Sequence, residues 1–286
     1  MLIYRLAKPV ATVLARRVWR ASLTGENRLS AGYAAVLCSN HGSVAETWML
    51  PALMRRPVHI LAKDSLFTRP GAAGWVARRF LLSVCVIPVN RSGGGTANGT
   101  LDSAAEVLRE GELIGVYPEG TRSPDGRLFK GKTGAVRVAL AGGAPIHPIA
   151  IHGAFQAGHG RSIFPRLQPR IRIEVGEAID LRTELESLRA EQVGDRHAEP
   201  MGTLQDEQPG DRRAERSDPP ESGEGADGMP ASVGCASGAP ASQEEIRALT
   251  DLVMARLAAM TGQEQVDEYA VDHRARMRKA AAVMAD

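Results

Sequence analysis

Aromatic side chains make up only 4% of this chain, and none occurs between Phe164 and Tyr269. So long a stretch without an aromatic residue has little from which to build a core of its own. A basic surface without interleaved aromatics also lacks the stacking platforms on which single-stranded nucleic acid is held. Nucleic acid is therefore not an expected partner. Cysteine is equally sparse: Cys38, Cys85 and Cys235 form no CxxC or zinc-like spacing. That excludes a disulfide framework and a cysteine-built metal site, and it fits a reducing, cytoplasmic compartment. Long apolar runs are missing too. In residues 1–23 the longest uncharged run lies between Lys8 and Arg16. A spanning helix needs roughly 20 apolar residues, so neither a transmembrane segment nor a signal peptide is expected there.

What is present is enough hydrophobic sequence, 43% of 286 residues, for one sizeable core. The formal net charge of +2 conceals an asymmetry: residues 1–190 carry 25 Lys+Arg against 14 Asp+Glu, and residues 191–242 carry 4 against 11. The basic part suits acidic phospholipid head groups or a polyanionic molecule such as coenzyme A. Leu2, Ile3, Leu6, Val10, Val13 and Leu14 recur near helical spacing among Arg5, Lys8, Arg16, Arg17 and Arg20. Residues 1–30 are thus expected to form an amphipathic segment, lying either on a membrane interface or against its own domain, with Pro9 kinking the helix or delaying its start.

From residue 31 to 190 short apolar runs alternate with helical patterns. Residues 34–39, 57–62, 84–89, 113–118, 146–151 and 171–175 read as strands; 44–54, 74–82, 96–109 and 133–141 read as helices. The alternation predicts an α/β domain with a mostly parallel central sheet, and the nearly continuous apolar character of the strands predicts helices on both faces. Functional groups should then lie on loops beyond strand ends, where Asn40, Asn90 and Glu119 fall. Residues 191–242 dissolve into Gly, Pro, Ser and charge, with EQVGDRHAE nearly recurring as EQPGDRRAE, and are expected to be a disordered acidic insert. Residues 243–286 regain helical spacing through Ile246, Leu249, Leu252, Val253 and Leu257, with Ser242 as N-cap, and finish in a basic tail.

Two segments carry chemistry. SNHGSVAETW places His41 and Glu46 just after a strand, and VYPEGTRSPDG places Glu119, Gly120, Thr121 and Arg122 after another. A neutral imidazole oriented by a carboxylate is a general base near neutral pH, and an arginine fork on a glycine-bearing turn fits a phosphate. Cys38 and Ser43 lie near His41, but neither sits in a GxSxG elbow. Arg91, in PVNRSGGG, is a second phosphate candidate. His147 and His152 read as structural, and Lys63, Lys130 and Lys132 as solvated surface.

In this order and separation the two segments, with PVNRSGGG and APIHPIAI, resemble the glycerolipid acyltransferase family of bacterial type over roughly residues 34–180. The resemblance implies an O-acyltransferase of phospholipid biosynthesis that passes a fatty acyl group from acyl-CoA or acyl carrier protein to a lysophosphatidic acid-like acceptor. It implies His41 as general base oriented by Glu46, and the phosphate held by Arg91 and Arg122 beside Glu119, Gly120 and Thr121. It further implies direct transfer without an acyl-enzyme, no metal or other cofactor, and a peripheral place at the inner face of the cell membrane. The family's carboxylate in the first motif is Asp, so Glu46→Asp is expected to be tolerated, and an acidic residue stands where this chain has Asn90. Those departures fit a catalytically impaired lipid-binding relative as the alternative. A further alternative is a nucleotide-binding P-loop, because GRLFKGKT at residues 126–133 satisfies G-x-x-x-x-G-K-[ST].

Overall fold

The computed structural model describes residues 2–30, 32–63, 70–71, 74, 86–89, 96–158, 164–198 and 239–283. Among the described residues a seven-stranded sheet forms the centre. Its strands are β1 (Ser22–Thr24), β2 (Ala35–Ser39), β3 (Val58–Lys63), β4 (Val86–Val89), β5 (Leu113–Val116), β7 (Ile146–His152) and β8 (Arg172–Val175). They lie in the order β1-β8-β7-β2-β5-β3-β4, with only the β7–β8 pair antiparallel. Central β2 is buried along its whole length, as expected of a parallel strand covered on both faces, whereas β8 alternates exposed and buried. Pro148 sits inside β7, and the register shift between the Ile149↔Val175 pair and the Ile146↔Ile179 bridge places a bulge opposite it, on the 175–179 side. Gly176 N donates to Pro148 O at 2.8 Å, and the return bond that a proline cannot make is replaced by His147 Nδ1, 2.9 Å from Gly176 O.

Helices cover both faces. One core layer joins α1 (Leu2–Arg17) and α2 (Glu46–Leu53) to the sheet through Ala15, Met49, Leu50 and Leu53. The other joins α3 (Thr96–Arg109), α4 (Gly134–Gly142) and α7 (Gln243–Thr261) through Leu108, Val136, Leu249 and Val253. Each layer buries apolar side chains against the sheet, the dominant favourable term in folding. Ser242 caps α7 in a full capping box with Glu245, which also pairs with Arg189.

Several expectations need correction. Pro9 does not delay α1, which runs unbroken through it; Thr12 Oγ1 donates to Ala52 O, tying the helix to α2. Residues 1–30 are not only helix, since β1 joins the main sheet beside β8. The segment expected to be disordered from Glu191 is helical over its first residues: α6 (Leu181–Ala198), started by Asp180 Oδ1 accepting from the Arg182 and Thr183 amides, continues to Ala198. Residues 199–238 lie outside the described residues, as do Cys85, Cys235 and nearly all of the helix expected at 74–82. The basic tail is instead helix α8 (Ala270–Val283), introduced by a two-stranded parallel ribbon of β6 (Leu128–Phe129) and β9 (Gln265–Val266). A short α5 (Ala154–Gly158) follows β7.

Candidate active site

The loop after β2 turns sharply into α2 and brings His41 back against the first residue of that helix. Glu46 Oε1 lies 2.6 Å from His41 Nδ1 and also accepts from Ser43 N at 3.1 Å. Glu46 is fully buried, at a helix N-terminus where a negative charge is favoured. A carboxylate accepts only, so the Nδ1 proton belongs to the imidazole and the lone pair falls on Nε2. The His41 ring stacks on Tyr117, with centroids 4.0 Å apart and an interplanar angle of 21°, which fixes the ring's second degree of freedom. Sequence reasoning missed Tyr117; its position at the end of β5, the strand beside β2, was the available signal.

Among the described residues Glu119 makes no hydrogen bond to Arg122; it holds the loops together from beneath. Its Oε1 accepts from His41 N at 3.0 Å and its Oε2 from Phe129 N at 3.1 Å, with the residue 1% exposed. Burial pushes its carboxyl up to about 8 against those two amides, which pull it down, while Glu46 and Asp125 push it up further. The consequence for stability has a definite sign. Between the ordinary 4.5 and about 8 the unfolded chain releases this proton and the folded one keeps it, so the Glu119 contribution falls as pH rises across that window and is level beyond it. Glu119→Gln should flatten the decline in urea-unfolding free energy between pH 5 and pH 8. The variant should also lose about 1–3 kcal/mol at pH 5, because one amide then faces an NH₂ group. Equal pH slopes in the two proteins would remove Glu119 as the source.

Gly120 adopts φ +70°, and a Cβ there would come 3.1 Å from the Lys132 side chain, so the turn requires glycine. Next to it, Arg122 Nη1 is buried without a hydrogen-bond partner among the described residues. An unsatisfied guanidinium nitrogen is costly unless an anion completes it. The Arg122 carbonyl is held by Arg274 Nη2, and Arg274 Nη1 donates to Thr121 Oγ1 at 3.3 Å. Gln263 makes a comparable junction, accepting from Asn40 Nδ2 at 2.9 Å and donating from Nε2 to Gly126 O at 2.6 Å. Residues 263–274 thus brace the loops bearing His41 and Arg122, a role that sequence reasoning did not assign them.

Arg91 and Asn90 lie outside the described residues. Cys38 is buried in β2 with its thiol pushed up to about 12 by burial, and Ser43 is buried with its hydroxyl accepting from Ala45 N. Neither is poised as a nucleophile. His147 is buried, its Nδ1 2.9 Å from Gly176 O, as a structural histidine would be. The phosphate-loop alternative is overturned. Leu128 N and Lys130 N donate to Glu264 O and Glu268 O, Phe129 N to Glu119, and Lys132 N to Pro118 O. Amides already bonded to the protein cannot cradle a nucleotide phosphate.

Comparison with known proteins gives four matches. Residues 20–152 match the family model described as Acyltransferase. The chain is 31% identical over 149 residues to a chloroplastic 1-acyl-sn-glycerol-3-phosphate acyltransferase of Arabidopsis thaliana, covering 52% of this chain and 40% of that protein. It is 27% identical over 144 residues to the 1-acyl-sn-glycerol-3-phosphate acyltransferase of Bacillus subtilis, covering 50% and 65%. The matches therefore span about half the length of these curated relatives. A crystal structure of the 1-acyl-sn-glycerophosphate acyltransferase of Thermotoga maritima aligns with a TM-score of 0.46 at 19% identity, covering 69% of this chain and 83% of that one.

Proposed function

From the match of residues 20–152 to the acyltransferase family model we propose that the chain is an O-acyltransferase acting on a lysophosphatidic acid-like acceptor. The observation that carries the reading is His41, held at Nδ1 by buried Glu46 and stacked on Tyr117, with its Nε2 lone pair left for a substrate proton. In the proposed step the acceptor hydroxyl gives its proton to His41 Nε2 as its oxygen attacks the thioester carbonyl. Glu46 stabilises the imidazolium so formed. The tetrahedral intermediate then expels the thiolate, which takes the proton from His41, leaving the new ester and a free thiol. The donor is acyl-CoA or acyl carrier protein, and neither metal nor prosthetic group enters the step. Burial of Cys38 and Ser43 favours direct transfer over an acyl-enzyme. The test is conversion of radiolabelled acyl-CoA and lysophosphatidic acid to phosphatidic acid by the purified protein. Binding of the lysolipid with no product formed would instead assign the protein to the catalytically impaired relatives.

A lipid acceptor must be reached at a membrane surface. None of the helices, among the described residues, is long and apolar enough to cross one. Among the described α1 side chains, Val10 is 60% and Val13 58% exposed. Leu14, Val18 and Leu167 are exposed as well, as is Phe164, which stacks on Trp19. Such a face beside the basic last turn of α1, Arg16 and Arg17, fits peripheral docking on the anionic inner leaflet. Val10→Asp together with Val13→Asp should lower co-sedimentation with phosphatidylglycerol vesicles at least several-fold at unchanged melting temperature. Undiminished co-sedimentation would place the docking face elsewhere.

A further inference from the structure

His41 leaves the sheet from β2, between β5 on one side and β7 on the other. The β5 side carries Glu119 to Arg122. On the β7 side opens a cleft of about 820 Å³, within the range of small-molecule sites. Asn40 and Gly42, the neighbours of His41, form part of its lining with Ile151, Gly153, Phe155 and Gly126. Its cationic rim is built by strand register. His152 pairs directly with Arg172 across the antiparallel β7–β8 ladder, and Arg170, two residues before Arg172, lines the same cleft. Among the described residues no Asp or Glu lines it, and neither arginine has an ion pair or hydrogen-bonded side-chain partner. Two exposed, unneutralised guanidinium groups beside a partly apolar cleft make a site for an elongated molecule with a phosphate at one end.

We propose that this cleft binds the acyl donor as a phosphopantetheine thioester, with Arg170 and Arg172 holding its phosphate and the thioester directed toward His41. The inference rests on the acyltransferase reading above. A direct transfer needs two substrates to meet at one base, and with the acceptor phosphate assigned to Arg122 on the β5 side, the β7 side is left for the donor. The shared chemistry of the two donor sources is the pantetheine phosphate; coenzyme A adds the nucleotide phosphates.

The decisive experiment compares wild type with the double variant Arg170→Ser, Arg172→Ser, whose substitutions lie on exposed positions. Expected is a rise of roughly tenfold in KM for acyl-CoA and for acyl-phosphopantetheine, with kcat and the lysophosphatidic acid KM unchanged, since charge-assisted contacts to phosphate are lost. An acyl-N-acetylcysteamine thioester, which has no phosphate, should be used equally by both proteins. A rise for acyl-CoA alone still puts the donor in the cleft, held by its nucleotide phosphates. An unmoved donor KM, or a rise in the acceptor KM instead, overturns the proposal. Calorimetric titration with coenzyme A gives a readout independent of turnover: the double variant should bind at least several-fold more weakly, and equal binding overturns the cleft assignment. Failure of the wild type to transfer acyl groups from any donor would instead sink the acyltransferase reading, and the titration would still decide the cleft.

Discussion

His41→Ala should lower acyl transfer by about 10²- to 10⁴-fold, the usual contribution of a positioned general base, with the melting temperature little changed. The side chain is partly exposed, and among the described residues its one side-chain hydrogen bond is to Glu46, so its removal opens little core. The accompanying Glu46 series is more informative. On the sequence alone, Glu46→Asp restores the residue typical of the family that the chain resembles and is expected to be tolerated. The geometry reverses that expectation. From the first turn of α2 the longer glutamate closes to 2.6 Å on His41 Nδ1 and 3.1 Å on Ser43 N, and aspartate would withdraw the carboxylate by roughly 1.5 Å, one carbon–carbon bond. Glu46→Asp should therefore lower kcat, though less than Glu46→Ala, and leave the acceptor KM nearly unchanged. A tenth or more of wild-type turnover in His41→Ala eliminates His41 as the base. Unchanged turnover in Glu46→Ala eliminates the pair.

How much of this was legible beforehand follows from how local each cause is. Strands β2, β5 and β7 were legible because parallel strands covered on both faces are apolar at nearly every position, and α3 was legible because its period is unbroken over fourteen residues. Ser242 was legible as a cap because a capping box is written within four consecutive residues. The ribbon β6–β9 was not, since two-residue strands have no period and are defined only by pairing with each other across the sequence. Helix α6 past Glu191 hid because composition there reads as insert, while the backbone ladder continued from a well-capped start. The site divides the same way. His41 and Glu46 lie five positions apart and could be paired from spacing, whereas Gln263 reaches Asn40 across 223 positions and Arg274 reaches Thr121 across 153, contacts that no local pattern announces.

Arg122→Ala should raise the KM for lysophosphatidic acid by about tenfold to a hundredfold or more, because each charge-assisted hydrogen bond to phosphate contributes roughly 1.5–3 kcal/mol. The motive is the buried, unpartnered Nη1: a guanidinium held in place with a nitrogen unsatisfied is poised for an anion. Its backbone is anchored separately, through the Arg274 contact to the Arg122 carbonyl, so truncating the side chain should leave the turn in place. Arg122→Lys keeps the charge but loses the planar fork, and should recover only part of the loss. The acyl donor constant should move little, which separates this residue from Arg170 and Arg172 on the other side of His41. The control acceptor is an uncharged monoacylglycerol, which has no phosphate to lose. If Arg122→Ala impairs both acceptors equally, Arg122 is a structural residue, and Arg91 becomes the residue to replace next.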